Sequence, residues 1–208
     1  MAKHIRLFIR ESWLLIVSAF LFGLLLAVTD AAWSPQIKQN ELNKFNKLAA
    51  GLFGKEGTTF ESVPDIAIDK GKGQTILVDV RKAVQDGRCI GWAFVAEGNG
   101  FAGPIRLVVA TDAGFEKILG FGVLACSETP GFGDKIKIKD GFCQKQYQGA
   151  PVAPFALTKA GDPAAIDSTI VAITGATVTS EAVVTIFNRV AVAIQSQLKA
   201  KGLLTHGQ

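Results

Sequence analysis

From Trp13 to Val28 the chain runs without a charged side chain, close to the ~20 residues that span the hydrocarbon of a bilayer. This predicts a single transmembrane anchor over residues 13–33. From Gln36 to Phe53, Leu42, Phe45, Leu48 and Leu52 recur at helical spacing, which predicts a stalk or packing helix within a lead-in over 34–70, broken near Gly51 and Gly54. Four β-rich runs follow: Thr75–Val80, Cys89–Val95, Ile105–Ala110 and Lys117–Val123, parted by turn signals at Asp86-Gly87 and Asp112-Ala113-Gly114. Their short links imply antiparallel neighbours, and glycines inside them mark close approach or bulges. Ala182, Ile186, Val190, Ala193, Ile194 and Leu198 then repeat at helical spacing up to Lys199, Lys201 and Gly202, which predicts a terminal helix. The expected fold is α+β: an N-terminal transmembrane helix, then one domain over 71–208 with a largely antiparallel sheet and a C-terminal helix packed on it.

Charge orients this plan. Lys3, Arg6 and Arg10 precede the apolar run and Asp30 follows it, so residues 1–12 are expected in the cytoplasm and the domain on the far side of the membrane. Ala27, Ala31 and Ala32 partly satisfy a signal-peptidase pattern, but the run exceeds the ~7–15 residues of a signal core, which favours a retained anchor. A hydrophobic share of 49% in 208 residues fits an anchor plus one domain. The formal net charge of +4 is modest and partly terminal, so nucleic-acid binding has no support. Lys135, Lys137 and Lys139 alternate with Ile136 and Ile138, as in an edge strand or amphipathic turn with a solvated face; docking of an acidic partner is a subordinate reading. Cys89, Cys126 and Cys143 lack the paired spacings of metal ligation. Cys126 reads as a buried small hydrophobe, and a pairing of Cys89 or Cys126 with Cys143 stays open. His4 and His206 are terminal and placed for no acid–base or metal role, and no metal site is expected.

The run Ile173–Val183 carries the most chemistry. Thr177 is expected about one turn before the terminal helix, where free N–H groups and the positive dipole end favour a phosphate. Gly175 and Ala176 let backbone approach such an anion closely. The plainer reading is that Thr177 caps the helix. Upstream, Thr129-Pro130-Gly131 predicts a turn with Pro and Gly in their preferred places, and Gly100–Gly103 reads as a loop.

Thr174-Gly175-Ala176-Thr177, with Val178-Thr179-Ser180 and Ala182-Val183-Val184 behind it, resembles the flavinylation motif of the FMN-binding domain found in the G subunits of Rnf electron-transport complexes and the C subunits of sodium-pumping NADH:quinone reductases. Gly100-Phe101-Ala102-Gly103-Pro104-Ile105, Val123-Leu124 and Glu128-Thr129-Pro130-Gly131-Phe132-Gly133-Asp134-Lys135-Ile136 are similar to the other segments of that domain. The resemblance spans residues 70 to 200. It implies FMN held covalently, its phosphate esterified to Thr177 by a separate flavin transferase, so that Thr177 is an acceptor and no residue is catalytic. Thr174, Gly175, Ala176, Thr179 and Ser180 would surround the phosphate, Glu128, Thr129 and Gly131 the ring, with Gly100–Gly103 further back. Relatives carry Asp three residues before the first Thr, where this chain has Val171, with Asp167 off register. The implied role is electron carriage in a cytoplasmic-membrane, Rnf-type ferredoxin:NAD oxidoreductase, beside membrane and iron–sulfur partner subunits that move the ion. The alternatives are a carrier like the C subunit of a sodium pump or another exported flavin carrier, and, from another class, a membrane-anchored assembly protein without flavin.

Overall fold

The computed structural model describes residues 2–55, 57–69 and 75–204, with side chains from Ser12 onward. The expected domain boundary at 70/71, His206, and the side chains of Lys3, His4, Arg6 and Arg10 lie outside the described residues. The chain divides into two compact units, Met1–Asn43 and Lys44–Gln208.

The described residues of the first unit all belong to helix α1 (Ala2–Phe53). The two predicted helices, anchor and lead-in, are in fact one, and Pro35 sits inside it. Proline removes one backbone bond, but strong helix formers flank it on both sides, including Ala31, Ala32, Gln36 and Lys38, and the helix continues. From Ser12 the helix is long and apolar enough to cross a membrane. Its large side chains, from Leu14 to Val28, are exposed.

In the second unit, five antiparallel strands form a sheet of order β1-β4-β5-β6-β7: β1 (Thr59–Val63), β4 (Val80–Gln85), β5 (Arg88–Asn99), β6 (Pro104–Asp112) and β7 (Ile118–Cys126). Asp86 and Gly87, at φ 50° and 73°, join β4 to β5. Both positive values are what the tight two-residue hairpin requires, and Asp-Gly supplies them at low steric cost. Side chains alternate across the sheet. Trp92 and Phe94 of β5, Leu107 and Val109 of β6 and Phe121 of β7 enter the main core, where α3 (Thr177–Ala200) contributes Val183, Ile186, Phe187, Val190, Ile194 and Leu198. Ala93, Val108 and Leu124 face the other way, onto Phe45 and Ala49 at the end of α1. Residues 44–53 are thus a packing helix. The helix α3 is apolar enough to pass as a membrane span, but it is half-buried and is a core helix.

Glycines in the strands sit where neighbours come close. A Cβ on Gly91 would lie 2.1 Å from the Thr111 carbonyl oxygen, and one on Gly122 3.1 Å from Leu48. The predicted strand Thr75–Val80 is corrected: β3 (Thr75–Leu77) pairs with β2 (Ala67–Asp69) in a separate ribbon, and β4 begins at Val80. The break falls where Val78 N–H donates to Ile66 C=O at 2.9 Å and Asp79 turns to pair with Arg81. Lys135 and Lys137 lie in or beside a 3₁₀ turn (Gly133–Lys137), not an edge strand; Ile136 is buried and the three lysines are exposed. A short α2 (Phe142–Tyr147) and a parallel pair, β8 (Ala156–Thr158) with β9 (Thr169–Val171), complete the unit.

All three cysteines are free, so the pairing left open does not form. Cys126 is only half-buried, a correction, because its strand end faces a groove; the buried one is Cys143. Burial pushes the Cys143 thiol up to about 12, which leaves about 10⁻⁴ of it as thiolate at pH 8. Iodoacetamide at that pH is expected to label Cys126 and Cys89 and to spare Cys143 until the domain is unfolded. Peptide mass mapping checks this, and early labelling of Cys143 would contradict the packing described.

Candidate functional site

Three connections converge at one end of the sheet. Between β5 and β6 the chain reverses through Gly100–Gly103, closed by Gly100 N–H to Gly103 C=O at 2.8 Å. After β7, Thr129-Pro130-Gly131-Phe132 turns with Phe132 N–H donating to Thr129 C=O at 3.2 Å and Gly131 at φ 78°, as the predicted turn requires. Before α3, Ile173-Thr174-Gly175-Ala176 makes a second such turn, with Ala176 N–H to Ile173 C=O at 2.9 Å and Gly175 at φ 80°.

Glu128 ties them together. Its carboxylate, 5% exposed, accepts the Ala102 N–H at 3.0 Å on Oε1 and the Thr179 hydroxyl at 2.5 Å on Oε2. The Gly133 backbone passes so near that a Cβ there would lie 2.5 Å from both Glu128 Oε2 and Thr179 Oγ1. One side chain therefore fixes the β5–β6 turn and the first turn of α3. Ser180 secures the second turn: its hydroxyl donates to Ala176 C=O and accepts from Ile173 N–H, each at 3.0 Å.

The helix begins at Thr177 itself, not a turn beyond it as expected. The reason is local: Ala176 occupies the capping position without a side-chain bond, and Ser180 N–H makes the first i−4 bond, to Ala176 C=O at 3.0 Å. The N–H groups of Thr177, Val178 and Thr179 precede that bond and have no helical acceptor. Thr177 therefore stands in the first turn rather than at the cap.

A cleft of about 480 Å³ opens over these elements, within the ~300–1,000 Å³ of small-molecule sites. Of the residues singled out from sequence, Glu128, Thr129, Gly175, Ala176, Thr177 and Thr179 line it, whereas Thr174, Gly131 and Ser180 do not. Thr174 is exposed beside it, Gly131 forms the turn, and Ser180 is buried in the bonds above. Thr177 is half-buried in the cleft lining. Phe101, Phe132 and Val178 also line the cleft, 71%, 54% and 52% exposed. Sequence reasoning gave Phe132 and Val178 no role of their own and Phe101 only a place in the Gly100–Gly103 loop set back from the ring. The signal was present, since a large apolar side chain in a glycine-bounded turn has no core to enter. Phe132 lies over Gly175, where a Cβ would approach its ring to 3.3 Å.

Val171 is a buried position on β9, its N–H and C=O bonded by the Gln146 amide at 2.7 and 3.1 Å. Asp167 accepts the Thr169 N–H at 2.6 Å. Among the described residues no cluster of His, Cys, Asp and Glu could hold a metal.

Residues 100–192 match the family model of the FMN-binding domain, which takes in the Gly100 turn, the Glu128 connection and most of α3. The chain is 29% identical over 170 residues to the G subunit of the ion-translocating oxidoreductase complex of Methanosarcina acetivorans, covering 82% of this chain and 85% of that protein. It is 37% identical over 91 residues to the G subunit of the same complex in Aliivibrio fischeri, 41% of this chain and 40% of that one. Among solved structures it is similar to Shewanella oneidensis NqrC, at a TM-score of 0.54 and 25% identity over 66% of this chain and 71% of that one. The antiparallel sheet with its terminal helix is the fold the sequence predicted.

Proposed function

We propose that this chain is the membrane-anchored electron carrier, of the G-subunit type, of an Rnf-type ion-translocating ferredoxin:NAD oxidoreductase, bearing FMN esterified through its phosphate to Thr177. The observation that carries the reading is the position of Thr177: a half-buried residue in the first turn of α3, in the lining of the cleft, beside N–H groups without helical acceptors. That position suits a phosphoryl group. Phe101 and Phe132 suit a flat, apolar ring, and the Thr129 turn offers backbone polar groups at its edge. The residues present therefore fit FMN, which when bound supplies reversible electron transfer.

The chain's own work in this reading is positional. The Gly175 turn aims Thr177, and Glu128 holds the Gly100 turn against the helix start. The exposure of Phe101 and Phe132 leaves the ring accessible to a neighbouring redox centre. No histidine lines the cleft to activate Thr177, and the Glu128 carboxylate is engaged by the Ala102 N–H and the Thr179 hydroxyl, which agrees with attachment by a separate flavin transferase. Residues 13–33 would anchor the chain in the cytoplasmic membrane, with 1–12 cytoplasmic and the FMN-binding domain, 71–208, on the outer face. Ion movement would belong to partner subunits, since the apolar segment carries no mid-membrane charge.

Mass analysis of the denatured, protease-cleaved chain purified from its native membrane tests this. The peptide containing Thr177 is expected to carry one FMN less water; a bare peptide would remove the carrier reading and favour the flavin-free assembly protein.

A further inference from the structure

Away from the cleft, β7 is the last strand of the sheet, and its outer side is paired only at its start. Ile118 N–H donates to Ala150 C=O at 2.8 Å and Gly149 N–H to Ile118 C=O at 2.7 Å. Beyond that point no described strand lies beside it. Natural edge strands are usually blunted by charges, proline or a covering element, yet β7 reads Ile-Leu-Gly-Phe-Gly-Val-Leu-Ala-Cys, without charge or proline. Instead it walls a groove of about 1140 Å³, above the usual range of small-molecule sites. Leu48 and Leu52 of α1 give the groove an apolar side. Lys44 and Lys47 rim it on that side and Lys137 and Lys139 on the other, against a single acidic residue, Asp140. Lys44 Nζ donates to Leu124 C=O, so a cation is already drawn to the edge. The residues of β7 after Ile118 offer about 27 Å of edge.

We infer that the groove receives an extended segment of a partner protein, alternately apolar and acidic, which adds to the sheet as a strand beside β7. Beyond Ile118 the edge supplies main-chain bonds except at the Leu124 C=O, which Lys44 holds, the apolar side takes alternate side chains, and the lysine rim selects negative charge. The inference is independent of the flavin.

The test uses the full chain in neutral detergent micelles and a blocked probe peptide, Val-Glu-Val-Asp-Val-Glu-Val-Asp-Val, with its lysine counterpart as control. The acidic peptide is expected to bind at least tenfold tighter than the basic one and to weaken as salt rises. It should slow amide exchange within residues 119–126 at least fivefold. Lys137→Glu with Lys139→Glu, both exposed, should reduce its affinity at least tenfold. The flavin mass on the Thr177 peptide should stay unchanged in that variant, which separates this result from the redox reading. Equal binding of the two peptides, or no slowing within 119–126, overturns the inference. So does equal slowing by phosphatidylglycerol vesicles, which would make the rim a lipid site, or slowing that tracks chain concentration without peptide, which would make the occupant a second copy.

Discussion

Replacing Thr177 by Ala is expected to abolish flavin fluorescence from the denatured chain while moving the melting temperature of the domain by no more than about 2 °C. The two halves of that result have separate causes. Attachment needs an oxygen nucleophile in the cleft lining, and Ala has none. Stability does not need that oxygen: Ala176, not Thr177, holds the capping position, and no hydrogen bond to another described residue engages the Thr177 hydroxyl. Losing a true cap would cost about 0.5–2 kcal/mol. Here the change stays within about 0.5 kcal/mol, since Ala is also the better helix former. At about 2–4 °C per kcal/mol for a domain of this size, the melting point barely moves. Thr177→Ser, which keeps the oxygen, should retain covalent flavin. Thr174 and Thr179 are the controls. Thr174 is exposed but outside the cleft lining, and the Thr179 hydroxyl is committed to Glu128. Fluorescence that survives in Thr177→Ala would move the attachment to one of them.

The residues that sequence patterning placed well are those whose neighbours in space are also neighbours in sequence. Asp86-Gly87 makes a hairpin from local dihedral preference alone, and Ile186, Val190, Ile194 and Leu198 face the core because 3.6-residue periodicity sets their side. What patterning missed depends on distant contacts. Thr59–Val63 is short and polar, and becomes a strand because β4 lies beside it. Thr75–Val80 looks continuous until Ile66 takes the Val78 N–H. At the site, Thr177 was legible as a hydroxyl near a helix start. Its distinction from Ser180, whose hydroxyl is buried in the turn, lies in a one-turn shift of the helix boundary that sequence does not fix. Phe101 and Phe132 were visible only as letters in glycine-rich turns. Their shared cleft arises because two connections 26 residues apart, at Ala102 and Glu128, meet through one carboxylate.

Removing that carboxylate is expected to give the largest loss of stability of any single change in the site. Glu128→Ala leaves the buried Thr179 hydroxyl and the part-buried Ala102 N–H without their acceptor. A buried donor so stranded costs about 1–3 kcal/mol and the N–H of exposed Ala102 less, so the variant should lose about 2–4 kcal/mol and melt roughly 5–15 °C lower. Flavin loading should fall as well, because the Gly100 turn that carries Phe101 and the first turn of α3 that carries Thr177 are no longer held to a common point. Glu128→Gln separates charge from connectivity: its amide oxygen can keep the Ala102 N–H, and its NH₂ can donate to a Thr179 hydroxyl turned to accept. At least half of the lost stability should therefore return. Thr179→Val removes one donor instead of stranding it, so it should cost less than Glu128→Ala. The double variant should fall short of the sum of the two, as residues in direct contact do. Strict additivity, or a Glu128→Ala domain that melts within 1 °C of the parent, would mean that the three connections hold their places without the carboxylate. The cleft would then owe its shape to the two glycine turns alone.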